Sequence, residues 1–308
     1  MKRIQPFYRV IFALFMLVGA QSVLAAEKLK PFILANAAGG SLQEATAATE
    51  KALQGAGFEV VGTYASYDGV QLVLVSSDEL KKAAAATKRG AYAAVQRVSL
   101  VKRADKIEVA YTNPVYWANA YQLESDLAGV SKALADALGA GEPFGAKGLT
   151  ADDLRGYHYT FGMEYFDEPY ELAEFVSFEA AVAQIDKGLK AKTAGVSMLY
   201  RVEIPGRDQV LFGVAMQKGA KGDKYSDDAF IMSVVDFEKL SSAAHLPYEI
   251  LVNGKQAEAL HARFRIAISF PDLNMMGDNS FMKIMESPPA IERALQAVAG
   301  VKAAESDY

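Results

Sequence analysis

The strongest constraint on the fold is a sequence plan that occurs twice, at residues 106–139 and at residues 263–300. Each segment opens with an apolar stretch typical of a strand and leads to a proline. An aromatic or methionine-rich turn follows, and then a helical pattern that ends at a glycine. This repetition predicts that the chain contains two copies of one domain.

The register between the two copies is marked at three places where equivalent residues are identical. The offset grows along the chain, which requires only insertions in the loops of the second half. The matched pairs are Ser41 with Ser177, Pro114 with Pro271, and Gly139 with Gly300.

Each half is expected to contain a strand, a helix, two strands, a second helix, two strands and a last helix. In the second half this order places strands at residues 230–235 and 257–270 and a helix at residues 236–244. Because the strands come as hairpins separated by helices, the predicted fold class is α+β, with antiparallel sheets each covered by helices on one face.

The predicted organisation has five parts, and an aromatic and acidic segment separates the two repeat domains. Rings as large as those in this segment are usually buried, so it is expected to pack across both domains and not to act as a flexible linker. The parts are a signal peptide at residues 1–25, a first domain at 26–140, the interdomain segment at 141–174, a second domain at 175–302 and a tail at 303–308.

The N-terminal residues have the pattern of a secretory signal peptide. Basic residues precede an apolar run at residues 10–20, which is shorter than the roughly 20 residues that a membrane-spanning helix needs. Small residues up to Ala25 predict cleavage after that position. The mature protein is therefore expected to be periplasmic or secreted, and an uncleaved signal anchor is the alternative.

Composition excludes several classes of function. The chain has no cysteine, which removes disulfides and thiolate chemistry. Without the three basic residues of the leader, 29 basic residues face 37 acidic ones, and a net charge of −8 argues against nucleic acid as a partner. No second long apolar segment occurs, so no membrane span is expected after signal cleavage.

Part of the sequence resembles a known family. The helix SLQEATAATEKALQGAGF, the strands EVVGTYASY and VQLVLV, the helix SSDELKKAAAA and the strand that leads to Pro114 resemble the domain of unknown function 302 family. The resemblance covers residues 33–140 and, more weakly, 175–300. It implies a small α+β fold with an antiparallel sheet and helices on one face, and it implies no settled activity. Some members carry short cysteine or histidine motifs that this chain lacks, so no functional residue is transferred.

Two aromatic clusters are candidate ligand sites. Rings with a few polar groups between two domains are typical of a small-molecule pocket, and a histidine beside carboxylates could also act as an acid or base. The alternatives are an aromatic seam between the domains for the first cluster and a core plug at the end of the sheet for the second. The first cluster contains Tyr157, His158, Tyr159 and Tyr165, and the second contains Tyr116 and Trp117.

A methionine cluster near the C-terminus is a candidate metal site. Thioethers are soft ligands that suit Cu(I), and histidine could complete the coordination. The alternative is that Met282 and Met285, which are three residues apart, form the buried side of a helical turn, where methionine fills gaps. The candidate ligands are Met275, Met276, Met282, Met285, His245 and His261.

The sequence favours a non-enzymatic exported binding or accessory protein whose ligand is an unknown small molecule or protein partner. No phosphate-binding GxxxxGK[ST], GxSxG or HExxH motif occurs. The alternative is a periplasmic Cu(I) handler, or an enzyme that uses His158 or the pair His245 and His261. Convergence of the histidines on one pocket would separate these hypotheses, and no cofactor is identified.

Overall fold

The computed structural model describes residues 27–218 and 222–301. The predicted signal peptide and the tail at residues 303–308 lie outside the described residues. Over the described ranges the chain has an α+β fold with nine α-helices and two antiparallel sheets, one of six strands and one of five. In the same ranges, no helix combines the length and hydropathy that a membrane span requires.

The first half forms the six-stranded sheet, in the order β2-β3-β4-β5-β1-β6. Helix α1 packs on β2, β3 and β4, and α4 packs on α1. The elements are β1 (Phe32–Leu34), α1 (Leu42–Gly55), β2 (Glu59–Tyr64), β3 (Val70–Ser76), α2 (Asp78–Ala86), β4 (Gln96–Lys102), β5 (Ile107–Thr112), α3 (Pro114–Ala120), α4 (Ala128–Leu138), β6 (Pro143–Phe144) and α5 (Ala151–Arg155).

The second half forms the five-stranded sheet, in the order β7-β11-β10-β9-β8. Its elements are β7 (Tyr170–Glu174), α6 (Phe178–Lys190), β8 (Val196–Glu203), β9 (Gln209–Met216), α7 (Asp228–Val235), β10 (Tyr248–Asn253), β11 (Gln256–Ala259), α8 (Ala262–Ser269) and α9 (Ser287–Val298). Short 3₁₀ helices occur in both halves, at Gly90–Ala93, Thr193–Gly195, Lys224–Ser226, Ala243–His245 and Phe281–Ile284.

Apart from β6 and α5, the two halves have the same order of α-helices and strands. In each half the first strand pairs with the last one, β1 with β5 and β7 with β11. The remaining strands follow in the same spatial order, so the two sheets have one connectivity. Strand β7 also shows that the end of the segment at residues 141–174 belongs to the second sheet.

The sequence correctly predicted where several helices begin. The hydroxyl of Ser41 accepts a hydrogen bond from the amide of Glu44, and the Glu44 carboxylate accepts one from the amide of Ser41, which is a complete capping box. Ser77 and Ser177 cap α2 and α6 in the ordinary way. These local contacts satisfy amides that have no partner within their helix.

Two predictions in the second half were wrong. Residues 230–235 belong to helix α7 and not to a strand, because the Asp227 carboxylate caps the helix through the amide of Phe230. Residues 236–244 form no α-helix; the Asp236 carboxylate accepts hydrogen bonds from Ser241 and Ser242 and folds the chain into a turn. A short continuous apolar run is compatible with a strand or with a buried helix, and the cap decides between them.

The predicted strand at residues 257–270 was right at residues 257–259 and wrong beyond them. Strand β11 ends at Ala259, and helix α8 begins after His261, whose side chain accepts a hydrogen bond from the amide of Arg263. The register that places Pro114 on Pro271 therefore aligns the end of a strand with the end of a helix. The aromatic turn that was expected after Pro114 is in fact helix α3, and Pro114 is the first residue of this helix.

A buried polar network joins the two halves. Arg97 of β4 forms an ion pair with Glu249 of β10, and both side chains are 2% exposed. Arg265 of α8 lies 3.7 Å from the same carboxylate, and its guanidinium also donates to the hydroxyl of Ser269 at 3.0 Å. A single continuous cluster of buried apolar residues extends through both halves around this network.

Candidate ligand-binding site

A mainly apolar pocket of about 470 Å³ opens at the end of the second sheet. Four of its lining residues are methionines and two are prolines. The volume lies within the range that is usual for sites of small organic molecules, roughly 300–1,000 Å³. The residues around it are Met163, Tyr170, His261, Arg263, Met275, Phe281, Met282, Met285, Pro288, Pro289 and Glu292.

One wall of the pocket is the linker between α8 and α9, which occupies residues 270–286. The equivalent linker of the first half, between α3 and α4, occupies only residues 121–127. The lining also includes Met163, which comes from the segment between the two sheets. Five of the eleven lining residues therefore come from parts of the chain that the two halves do not share, and the other six come from β7 and from the first turns of α8 and α9.

Backbone hydrogen bonds hold the methionines of the linker side by side. The amide of Met282 donates to the carbonyl of Met275 at 3.2 Å, and the amide of Phe281 donates to that of Asn274 at 2.9 Å. Residues three apart in a 3₁₀ helix lie on the same side, so Met285 follows Met282 along one face.

This face is turned outward. Met275 is 41% exposed, Met282 50% and Met285 49%, whereas Phe281 and Ile284 are the buried residues of the same turn. The alternative in which Met282 and Met285 form the buried side of the turn is therefore wrong. Flexible, polarisable thioether side chains at a surface are typical of sites that adapt to apolar ligands.

His261 forms the polar side of the pocket. Its Nδ1 accepts a hydrogen bond from the amide of Arg263 at 3.3 Å, and its Nε2 lies 3.2 Å from an oxygen of Glu164. Burial, with the nearby Arg263 as the next cause, lowers the pKa of His261 to about 4. The imidazole is thus neutral near pH 7, with its proton on Nε2, and it donates to Glu164.

Tyr170 connects the pocket to the sheet. Its ring packs against that of His261 with centroids 4.0 Å apart, and its hydroxyl donates to the carbonyl of Pro288 at 3.1 Å. Burial raises the pKa of Tyr170, so the hydroxyl stays protonated. These contacts tie the start of β7 to the first turns of α8 and α9.

The charged groups at the pocket are few. Arg263 forms an ion pair with Glu164, and Glu292 lies on the α9 side. With His261 neutral, the lining carries one positive charge on Arg263 and one negative charge on Glu292, and Glu164, which pairs with Arg263, does not line the pocket. A neutral ligand therefore fits the pocket better than a charged one.

A narrow apolar extension adjoins the main pocket and shares Met163, Arg263 and Phe281 with it. Its free volume is about 10 Å³, about the space of one water molecule. It is further lined by Tyr159, Ile266, Ala267, Phe270 and Leu273.

The aromatic residues of the interdomain segment hold that segment against α8. The hydroxyls of Tyr157 and Tyr159 donate to the carbonyls of Ala267 and Leu273 at 3.1 and 2.9 Å. Of the predicted ligand-binding residues in this segment, Tyr159 alone borders the extension of the pocket. His158 packs its ring on Tyr165 and contacts the carbonyl of Thr160, away from His261.

Tyr116 and Trp117 lie in the interior between the halves. Tyr116 is fully buried, and its hydroxyl donates to the carbonyl of Ile268 at 2.7 Å. Trp117 is 2% exposed, donates to the carbonyl of Pro31 at 3.0 Å, and has the guanidinium of Arg265 5.6 Å from its ring centroid. Neither residue borders the methionine-lined pocket, and their surroundings are those of a core plug.

The three histidines do not converge. His245 is completely buried, where its Nδ1 lies 2.7 Å from the hydroxyl of Ser269, and burial keeps its pKa well below the ordinary value. Of the predicted metal ligands, the pocket unites His261 with three methionines and leaves out His245 and Met276. Over residues 27–218 and 222–301, no three histidine, aspartate or glutamate side chains form a metal-binding group.

Sequence reasoning missed several residues of the pocket, because they come from segments that are distant in the chain. Met163 could have been noticed in the sequence, because it is a methionine within a segment whose other large apolar residues are mostly aromatic. The lining residues that were missed are Met163, Tyr170, Arg263, Phe281, Pro288, Pro289 and Glu292.

In comparisons with known proteins, no protein-family model, curated protein or solved structure matches the chain. The resemblance to the domain of unknown function 302 family accordingly stays a prediction from the residues quoted for it.

Proposed function

We propose that the protein is an exported, non-enzymatic binding protein, periplasmic or secreted, that holds a small and mainly apolar organic molecule in the methionine-lined pocket. The observation that carries this proposal is the pocket itself, with its volume of about 470 Å³ and its lining of thioethers, rings and prolines. Such lining, with a few polar groups at one side, is typical of ligand pockets.

The position of the pocket also supports the proposal. The shared order of elements in the two sheets leads us to infer that the halves are diverged copies of one domain. The long linker at residues 270–286 and the segment that carries Met163 lie outside the shared plan, and they meet at the pocket. Segments that were added to a repeated scaffold and that meet at a pocket are best explained by a role in ligand binding.

The chemistry of His261 favours binding over catalysis. A general base needs a free lone pair, and a general acid needs a proton that it can release near the working pH. In His261, Nδ1 already accepts from the backbone and Nε2 faces Glu164. The ring is better suited to support the pocket wall than to transfer protons.

The proposal predicts that a charge placed on the pocket wall weakens binding of an apolar probe. N-phenyl-1-naphthylamine is neutral and small enough for the pocket, and its fluorescence rises in apolar surroundings. Met282→Arg places a charge on the wall and is expected to weaken probe binding by about tenfold or more, because apolar contacts are replaced by a desolvated cation. Fluorescence titration measures the effect.

Met276→Arg is the matched control. Met276 lies in the same linker, is 80% exposed and does not line the pocket. This variant is expected to bind the probe like the wild type. The proposed site would be contradicted if Met282→Arg bound the probe as tightly as the wild type. It would also be contradicted if Met282→Arg and Met276→Arg lost the same amount of probe affinity.

Cu(I) binding is a second candidate function, favoured by one specific observation. Met275, Met282, Met285 and Met163 border the same pocket as His261. Soft thioether ligands prefer a soft cation. His261 would have to release its contact with Glu164 before Nε2 could act as a ligand.

Leucine replacements separate the two candidates. The triple variant Met275→Leu/Met282→Leu/Met285→Leu keeps apolar volume but removes three sulfur atoms. A Cu(I) handler is expected to lose its metal affinity, measured by competition with a Cu(I) chelator such as bathocuproine disulfonate. An organic-ligand site is expected to retain probe affinity within about threefold, since volume-conserving apolar changes cost little. Wild-type protein that does not compete with the chelator would eliminate the metal function.

A further inference from the structure

The methionines in the core of the second half and those of the linker lie in sharply different environments. Met216 and Met232 are 1% and 2% exposed in the core of the second half. Met275, Met282 and Met285 form the outward face of the linker, as described above, and this face is also the wall of the pocket.

Thioethers are also the only reduced sulfur in the chain, which has ten methionines and no cysteine. A two-electron oxidant that meets the folded protein therefore finds no thiol to react with first. Oxidation of methionine follows access to the sulfur. The linker, which carries four of the ten methionines within residues 275–285, is the most accessible concentration of sulfur in the described ranges.

The chemistry is balanced with a hydroperoxide as oxidant. A lone pair of the thioether sulfur attacks one peroxide oxygen, an S–O bond forms and the O–O bond breaks. The sulfur loses two electrons, and hydrogen peroxide is reduced to water. The product, methionine sulfoxide, is polar, and methionine sulfoxide reductases can return it to the thioether.

We propose that Met275, Met282 and Met285 are an oxidation-sensitive wall, and that their conversion to sulfoxides by a hydroperoxide or hypohalous oxidant releases the apolar ligand. This inference rests on the proposed function of the pocket. The wall supplies much of the apolar surface that the ligand contacts, and each sulfoxide places a strong hydrogen-bond acceptor there. An apolar ligand that covers this acceptor removes it from water without offering a donor, which is unfavourable.

The first measurement is site-resolved oxidation of the folded chain. The protein is treated with a limiting amount of hydrogen peroxide, and peptide mass spectrometry follows each methionine. Met275, Met282 and Met285 are expected to oxidise about tenfold faster or more than Met216 and Met232, which serve as buried controls in the same molecule. Equal rates at the exposed and buried positions would overturn the inference.

The second measurement is affinity for N-phenyl-1-naphthylamine after oxidation. The oxidised wild type is expected to bind the probe about tenfold more weakly or worse, and treatment with sulfoxide reductases should restore binding. The triple leucine variant is compared with itself before and after the same peroxide treatment, and whatever its starting affinity, the treatment is expected not to weaken it. Unchanged circular dichroism shows that the oxidised protein remains folded.

The outcomes distinguish this inference from the proposed function. Wild-type protein that binds the probe with the same affinity before and after oxidation refutes the oxidation-sensitive wall and leaves the binding function intact. If peroxide lowers the probe affinity of the wild type and of the triple leucine variant equally, the loss does not come from oxidation of these three methionines. That result also refutes the oxidation-sensitive wall. Reduced protein that binds no probe refutes both.

Discussion

Glu249→Gln is expected to lower the free energy of unfolding by about 3–5 kcal/mol, because it leaves two buried guanidinium groups without a counter-charge. Glu249 is buried and forms an ion pair with Arg97, and Arg265 lies 3.7 Å from its second oxygen. The amide keeps the shape of the side chain and removes only the charge. Chemical denaturation measures the change as a shift in the midpoint.

Two further variants test this explanation. Arg97→Met combined with Glu249→Gln removes one charge of each sign, and it is expected to be less destabilising than the sum of the two single changes. Lys132→Ala removes a surface ion pair with Asp136, whose side chains are 76% and 64% exposed, and it should cost less than about 1 kcal/mol. A cost below about 1 kcal/mol for Glu249→Gln would show that the carboxylate does not hold the two guanidinium groups.

The second large effect is a dependence of stability on pH that Asp228→Asn should remove. Asp228 is 1% exposed, and one of its oxygens accepts hydrogen bonds from the Tyr64 hydroxyl at 2.7 Å and from the Met216 amide at 3.0 Å. The other oxygen has no partner. Burial is the main cause that raises the pKa of Asp228 from 3.8 to about 7, and the charge of Asp227 contributes in the same direction.

The sign of the effect follows from proton binding. Between pH 3.8 and about pH 7, the folded protein keeps a proton on Asp228 that the unfolded chain has released. The stability that this group contributes is therefore fully present below pH 3.8 and is lost as the pH rises through about 7. The total loss is roughly 4 kcal/mol, from about 1.4 kcal/mol for each pKa unit.

The measurement is the difference in unfolding free energy between the wild type and Asp228→Asn, taken from pH 4 to pH 8. The amide keeps an acceptor for Tyr64 and Met216 and carries no charge, so the wild type should lose stability relative to the variant as the pH rises. His245 and His261 have lowered pKa values, so their titration makes stability rise with pH, which is the opposite direction. Both histidines are present in the wild type and in the variant, so their contribution cancels in the difference. Exposed Asp136→Asn is the control. Parallel pH profiles for the wild type and Asp228→Asn would show that Asp228 titrates in the same way in the folded and unfolded states.

Local chemistry explains why much of the framework was predictable. The caps at Ser41 and Ser177 and the hairpin turn at Asn253 and Gly254 depend on residues a few positions apart, and these contacts form wherever the surrounding chain lies. The α+β class with two antiparallel sheets was confirmed for the same reason. Hairpins and amphipathic helices leave few other ways to bury their apolar faces.

The errors occur where a long-range contact overrides local preference. The stretch that ends at Ser269 has the composition of a strand, but it forms helix α8, from which the buried Arg265 donates to the carbonyls of His245 and Pro247. Phe230 belongs to a run that is equally apolar, and the cap from Asp227 turns that run into a helix. Composition alone could not separate these alternatives, because the deciding partners lie elsewhere in the chain.

The sequence by itself determined the two-sheet framework and identified the methionines of the linker as unusual. It could not determine that Met282 faces outward, because burial depends on which side of the 3₁₀ turn meets the core, and the packing of Phe281 and Ile284 decides that. It also could not bring Met163 and His261 to the same pocket, since residues about 100 positions apart meet only after the segment between the sheets has folded against α8. The two-sheet framework follows from short-range hydrogen bonds and from the periodicity of apolar residues, whereas the pocket follows from the packing of segments that are distant in the chain.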